Sequence, residues 1–196
     1  MTTAKHRPRT KPPQERRDEI MAAAQNLFLT QGIANTSIDQ IAQGAEVAKG
    51  TFYLYFTSKD DVRAALAARF EEEMLAKIDA AVAARQDGDW KGKLGAWATA
   101  CARAHMEAQR LHDIVFHSAP AHKKDGIVDN PIVDNLAALI ERGGAAKAWS
   151  VDDSRFTAQF LFSGVHGIAG GHGKKVQDSA DQLSKLERMF WRGLGL

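Results

Sequence analysis

Residues 36–59 read Thr-Ser-Ile-Asp-Gln-Ile-Ala-Gln-Gly-Ala-Glu-Val-Ala-Lys-Gly-Thr-Phe-Tyr-Leu-Tyr-Phe-Thr-Ser-Lys, and this stretch decides the fold. Ile38, Ile41, Ala42 and Ala45 follow the i, i+3, i+4, i+7 spacing of one buried helical face. Thr36 or Ser37 supplies an N-cap oxygen, and Asp39 or Gln40 places a polar group in the first turn. After a tight turn, a second short helix offers Lys49, Thr51, Tyr53 and Tyr55 as hydrogen-bond donors, while Phe52 and Phe56 anchor it inward. Donors on one side and aromatic anchors on the other describe a helix-turn-helix whose second helix enters the DNA major groove.

Working outward, the first helix spans about residues 16–31, with Ile20, Ala24, Leu27 and Phe28 inward and Gly32 as its stop. Ser58 caps a long fourth helix, and Asp60 and Asp61 sit in its first turn, where the helix dipole favours carboxylates. That helix carries Leu66, Phe70, Met74 and Ile78 towards Arg85, and Gln86-Asp87-Gly88-Asp89 breaks it. Leu94, Trp97, Cys101, Ala104, Ala108 and Leu111 form the next stripe. Residues 120–126 and Asn130-Pro131 mark loops, a helix follows over about 132–142, and Gly143-Gly144 stops it. The last two helices run over about 152–171 and 179–193. The pattern is all-α, without a convincing strand, internal repeat or low-complexity segment.

The stretch 47–59 resembles the signature of the TetR family of bacterial transcriptional regulators, which usually reads Ala-Gly-Val-Ser-x-Gly-Thr-Leu-Tyr-x-His/Tyr-Phe-x-Ser/Asn-Lys. The resemblance continues upstream through Ile20, Ala23, Ala24, Leu27, Phe28, Gly32 and Thr36, and covers roughly residues 15–63. Glu46 stands where the turn usually has glycine, so any left-handed conformation there is strained. Ala48 replaces the usual capping serine, which costs about 1 kcal/mol of helix stability. The resemblance implies about nine helices: a three-helix DNA-binding domain over 15–60 behind a basic arm at 1–14, then a ligand-binding and dimerisation domain over 61–196. It also implies that Thr36, Thr51, Tyr53, Tyr55 and Lys59 touch phosphates of double-stranded operator DNA, while Lys49 and Gly50 reach base edges.

Charge supports this layout. The formal net charge is only +2, but residues 1–17 carry six Lys/Arg against Glu15, a balance of +5. This arm holds Pro8, Pro12 and Pro13 without apolar periodicity, and is expected to be flexible and to add salt-dependent DNA contacts. A hydrophobic content of 44% supports a real core, and the mean hydropathy of −0.33 fits a soluble chain. No run approaches the 18 or so apolar residues of a membrane span. The basic start lacks the apolar region of a secretory signal, and the single Cys101 fits a reducing cytoplasm.

Enzyme and metal chemistry find little support in the spacing. The seven histidines form no His-x-x-x-His pair, and neither His112/His117 nor His166/His172 falls neatly on one helical face, so no metal and no cofactor is expected. Cys101 and His105 lack an orienting third group, and the 170–175 stretch Gly-Gly-His-Gly-Lys-Lys lacks the strand and spacing of a phosphate loop.

Two further sets of residues follow. Gln159, Ser163, His166, Gly167 and Gly170 form a small-residue stripe, and Leu183, Leu186, Met189 and Phe190 an apolar one. Close helix approach across a two-fold axis is the expected use of both, and the resemblance implies a four-helix homodimer interface. Phe70, Met74, Ile78, Trp97, Cys101, His105, Phe116 and Phe160 are the candidate lining of an effector pocket. With no charge on the inward stripes, the pocket suits an apolar or aromatic, largely uncharged inducer. Repression and control by a small molecule come from the resemblance. Control by a protein partner, with no small-molecule inducer, is the alternative.

Overall fold

The computed structural model describes residues 11–117, 130–169 and 179–196. The basic arm before Lys11, the loop at 120–126, and Gly170 with the 170–175 stretch lie outside them. Among the described residues there are nine α-helices and no strand: α1 Pro13–Gln31, α2 Ile38–Gly44, α3 Lys49–Tyr53, α4 Lys59–Ala83, α5 Trp90–Glu107, α6 Gln109–His112, α7 Pro131–Ala145, α8 Ser154–Ala169 and α9 Ser179–Gly193. The chain divides into two compact units, Met1–Leu66 and Ala67–Leu196.

In the first unit, α1 packs on α2 and α2 on α3. Pro13 starts α1 at a position where its missing N–H costs nothing. Gly32 ends the helix at φ 79°, and its N–H donates to the Phe28 carbonyl. Ser37 caps α2 in a full capping box: its hydroxyl accepts from the Gln40 N–H, and the Gln40 side chain accepts from the Ser37 N–H. Ile20, Met21, Ala24, Phe28, Ile41, Phe52, Phe56, Val62 and Leu66 are among the buried apolar residues of this unit. Glu46, in the turn between α2 and α3, adopts φ 53°, so the strain expected of a side chain there is present.

In the second unit, α5 packs against α7, α8 and α9, and α7 against α8. Trp97 on α5 is fully buried, stacks on Phe190 of α9 at 6.0 Å, and donates its indole N–H to Asn135 Oδ1 at 2.8 Å. Two boundaries differ from the sequence pattern. The stripe from Leu94 to Leu111 is two helices, because the chain breaks at Ala108 (φ −111°, ψ 18°). A π-helical turn, Asp113–His117, then follows α6. In turn, α7 runs through Gly143 and Gly144 to Ala145 instead of stopping at them. Gly143 is there for close approach: a Cβ on it would lie 2.0 Å from the Trp149 ring, whose N–H is fixed to the Ile140 carbonyl at 2.8 Å.

Candidate functional site

The exposed side of the helix-turn-helix is built by α3. Phe52 and Phe56 are buried and turn the opposite side outward, leaving Lys49 and Gly50 exposed and Tyr53 half exposed at 50%. Thr51 and Tyr55 are partly covered. Phe52 braces Tyr53 edge-on at 5.5 Å. Lys49 pairs with Asp39 at 3.0 Å, and that hydrogen bond holds its ammonium above the ordinary lysine range. Both groups are exposed, so a phosphate or a base edge can displace the pair at little cost.

Two of the seven candidate DNA contacts also have hydrogen-bond partners within the chain. Thr36 is only 2% exposed, and its hydroxyl donates to the Gly32 carbonyl at 2.8 Å. Lys59 donates to the carbonyls of Ile33, at 2.7 Å, and Thr36, tying the α1–α2 loop to the start of α4. Both sets of bonds have one cause. The loop after Gly32 leaves carbonyls outside the helical ladder, and those that are partly buried need donors.

The second unit holds a cavity of about 210 Å³. Its walls come from α4 (Phe70, Glu71, Met74), α5 (His105), α6 and the π turn (His112, Phe116), α7 with its cap (Asn130, Ile132) and α8 (Phe162, His166). Of the eight candidate pocket residues, Phe70, Met74, His105 and Phe116 line it. Ile78, Trp97 and Cys101 do not; all three are buried in packed core, and desolvation pushes the Cys101 thiol up to about 12. Phe160 points elsewhere, with 71% of its surface exposed. The sequence reading missed Glu71, His112, Phe162 and His166. Glu71 also overturns the expectation that no charged residue faces inward, and burial pushes its carboxyl above the usual range.

The most pronounced feature of the cavity is three imidazoles. His105, His112 and His166 have ring centroids 4.2, 4.8 and 5.0 Å apart, and one ring nitrogen of each lies within 4.8 Å of the others. Phe70 and Phe116 flank His112 at 5.7 and 4.8 Å.

The candidate dimer residues separate into two faces. Ser163 and Gly167 on α8 are exposed, but Leu183, Leu186 and Phe190 on α9 are buried against their own unit's core. The apolar residues left outside are Phe156, Phe160 and Ile168 on α8 and Met189 on α9. Phe160, Ile168 and Met189 line a groove between these two helices.

The described residues form an all-helical chain with an N-terminal helix-turn-helix and a second helical unit that holds a cavity. The comparisons agree. Residues 20–66 match the family model described as "Bacterial regulatory proteins, tetR family". The regulator TcmR of Streptomyces glaucescens is 36% identical over 63 residues, covering 32% of this chain and 28% of that protein. HbdR of Aromatoleum sp. (strain CIB) is 49% identical over 49 residues, covering 25% and 21%. The chain thus spans under a third of the length of these relatives. Across nearly the whole chain, the structure of the fatty acid degradation regulator FadR from Bacillus halodurans superposes with a TM-score of 0.67, at 20% identity, covering 95% of this chain and 99% of that one. Residues 20–66 thus resemble the DNA-binding domain of the TetR family, and the fold of the whole chain resembles that of solved TetR-type regulators. Its sequence relatives are transcriptional regulators, not enzymes. No described helix is long and apolar enough to cross a membrane.

Proposed function

We propose that this protein is a homodimeric transcriptional repressor that leaves a palindromic operator when a small molecule occupies the cavity of its second unit. The observation that carries the reading is the outward side of α3. Lys49, Gly50 and Tyr53 are exposed over a rigid aromatic anchor, within a domain whose sequence matches DNA-binding regulators. Lys49 and Gly50 read base edges, Thr51, Tyr53 and Tyr55 hold phosphates, and two copies need half-sites about 34–36 Å apart. The exposed apolar groove of α8 and α9 supports the dimer, since scattered apolar residues are ordinary but a continuous patch marks an interface.

The cavity supports effector control. At about 210 Å³ it lies below the usual range for drug-sized ligands of roughly 300–1,000 Å³. A small effector with an aromatic or apolar body fits Phe70, Phe116 and Phe162, and a polar head fits the histidines. Release of DNA then requires that the effector bind the DNA-free form more tightly, typically by about 1–3 kcal/mol.

The test is to map the genomic sites bound by the tagged protein and titrate one by fluorescence anisotropy. Specific binding to a two-fold symmetric site is expected. Tyr53→Phe should weaken binding to all sequences alike, and Lys49→Ala should relax preference at particular base pairs. Equal affinity for bound sites and random duplex, unchanged in both variants, would refute the reading.

A further inference from the structure

We propose that His105, His112 and His166 form a binding site for a divalent late first-row transition-metal ion, of the zinc, nickel or cobalt class, inside the cavity. The argument begins with convergence. The three side chains come from α5, the end of α6 and α8, three separate helices, yet each places a ring nitrogen within 4.8 Å of the others. Nitrogens bound to one tetrahedral ion at about 2.0–2.1 Å would be about 3.3 Å apart.

The chemistry of the donors selects the ion. Neutral imidazole is the nitrogen ligand of zinc, copper, nickel and iron, whereas magnesium and calcium require oxygen ligands. The setting is unusual for three side chains acting only as packing: His105 and His112 are 4% and 8% exposed, in a wall otherwise made largely of phenylalanine, methionine and isoleucine. Glu71 lines the same cavity, and a dication there would favour its ionised form. The backbone is also specialised at this point. The π-helical turn begins at Asp113, directly after His112, and such turns are frequent at functional sites.

Three protein ligands leave coordination positions open, in contrast to the closed four-ligand shell of structural zinc. The open positions face a cavity rather than packed protein, so water or a donor atom of a second small molecule completes the shell. The metal site stands on this geometry alone. Its part in regulation rests on the function proposed above.

The test uses the full-length, untagged protein, stripped with chelator and titrated with Co²⁺. One equivalent per chain is expected, with visible d–d absorption of a nitrogen-rich, four- or five-coordinate site, displaced by Zn²⁺. His105→Gln, His112→Gln and His166→Gln should each weaken Co²⁺ at least 100-fold while helix content by circular dichroism is kept. X-ray absorption of the zinc-loaded wild type, which requires no variant, should show a nitrogen/oxygen shell with about three imidazoles. Less than one equivalent at 100 μM Co²⁺, binding unaltered in the triple variant, or a shell without imidazole would overturn the site. Operator anisotropy with and without Zn²⁺ keeps the two proposals apart. A bound ion that leaves DNA affinity unchanged removes the ion's regulatory part and keeps the site. Operator binding in a protein that takes up no ion removes the site and keeps the regulator.

Discussion

Replacing Lys59 by methionine separates a structural lysine from a phosphate-binding one. Methionine retains an unbranched apolar stem and removes the ammonium that donates to the Ile33 and Thr36 carbonyls. Hydrogen bonds to a charged group contribute about 1.5–3 kcal/mol each, and a buried carbonyl left unpaired costs about 1–3 kcal/mol. Thr36 is buried, so water does not readily replace its donor, whereas the Ile33 side of the loop is half open and is discounted. The net expectation is about 2 kcal/mol of lost stability in the first unit, equivalent to a urea midpoint about 1 M lower at a typical slope. The four tryptophans (Trp90, Trp97, Trp149 and Trp191) all lie in the second unit, so their fluorescence is an internal control. Hydrogen exchange followed by mass spectrometry should show faster exchange over residues 33–41, with little change in the tryptophan transition. The salt dependence of operator binding should keep its slope, whereas each lost phosphate contact lowers it by about 0.9. Unchanged exchange together with a reduced salt slope would refute the structural role.

Glu46→Gly relieves a left-handed residue worth roughly 1–2 kcal/mol and adds back about 0.5–1 kcal/mol of chain entropy. The first unit should therefore gain about 0.5–1 kcal/mol in urea unfolding, and a loss would show that the turn is unstrained. Gly167→Leu places a side chain where nothing lies within 4 Å in the protomer, so helix content should persist while sedimentation shows monomers. An intact dimer would move the interface away from α8. Buried Cys101 should not react with Ellman's reagent at pH 8 until the protein unfolds. Because its pKa rises from about 9 to about 12, the folded state holds its proton while the unfolded state loses it. Stability should fall as pH rises from about 9 towards 12, by up to about 1.4 kcal/mol per unit, and Cys101→Ala should flatten that limb of a pH–stability curve.

The helix-turn-helix was legible because its information is local. The Ser37–Gln40 capping box and the inward Phe52 and Phe56 follow from neighbours within a few residues. The Ser179–Gly193 helix was read to its ends for the same reason. Periodicity shows that a face is apolar without naming what covers it. Leu183, Leu186 and Phe190 therefore read equally well as an interface or a core, and only packing against α5 and α8 decides for the core. Thr36 and Lys59 carry the right donors for phosphate, but where a loop turns its carbonyls is not written in residue type.

The cavity lies at the far end of this scale. His105 and His112 are seven residues apart, which in a continuous helix separates them by about 10 Å along the axis. The break at Ala108 brings their rings to 4.2 Å, and α8 delivers His166 from 54 positions further along the chain. The all-helical plan and the helix-turn-helix follow from the sequence, since both are encoded by short-range spacing and capping. The tertiary structure alone decided which polar residues face inward and which three histidines meet, since convergence depends on a helix break and on packing between distant segments.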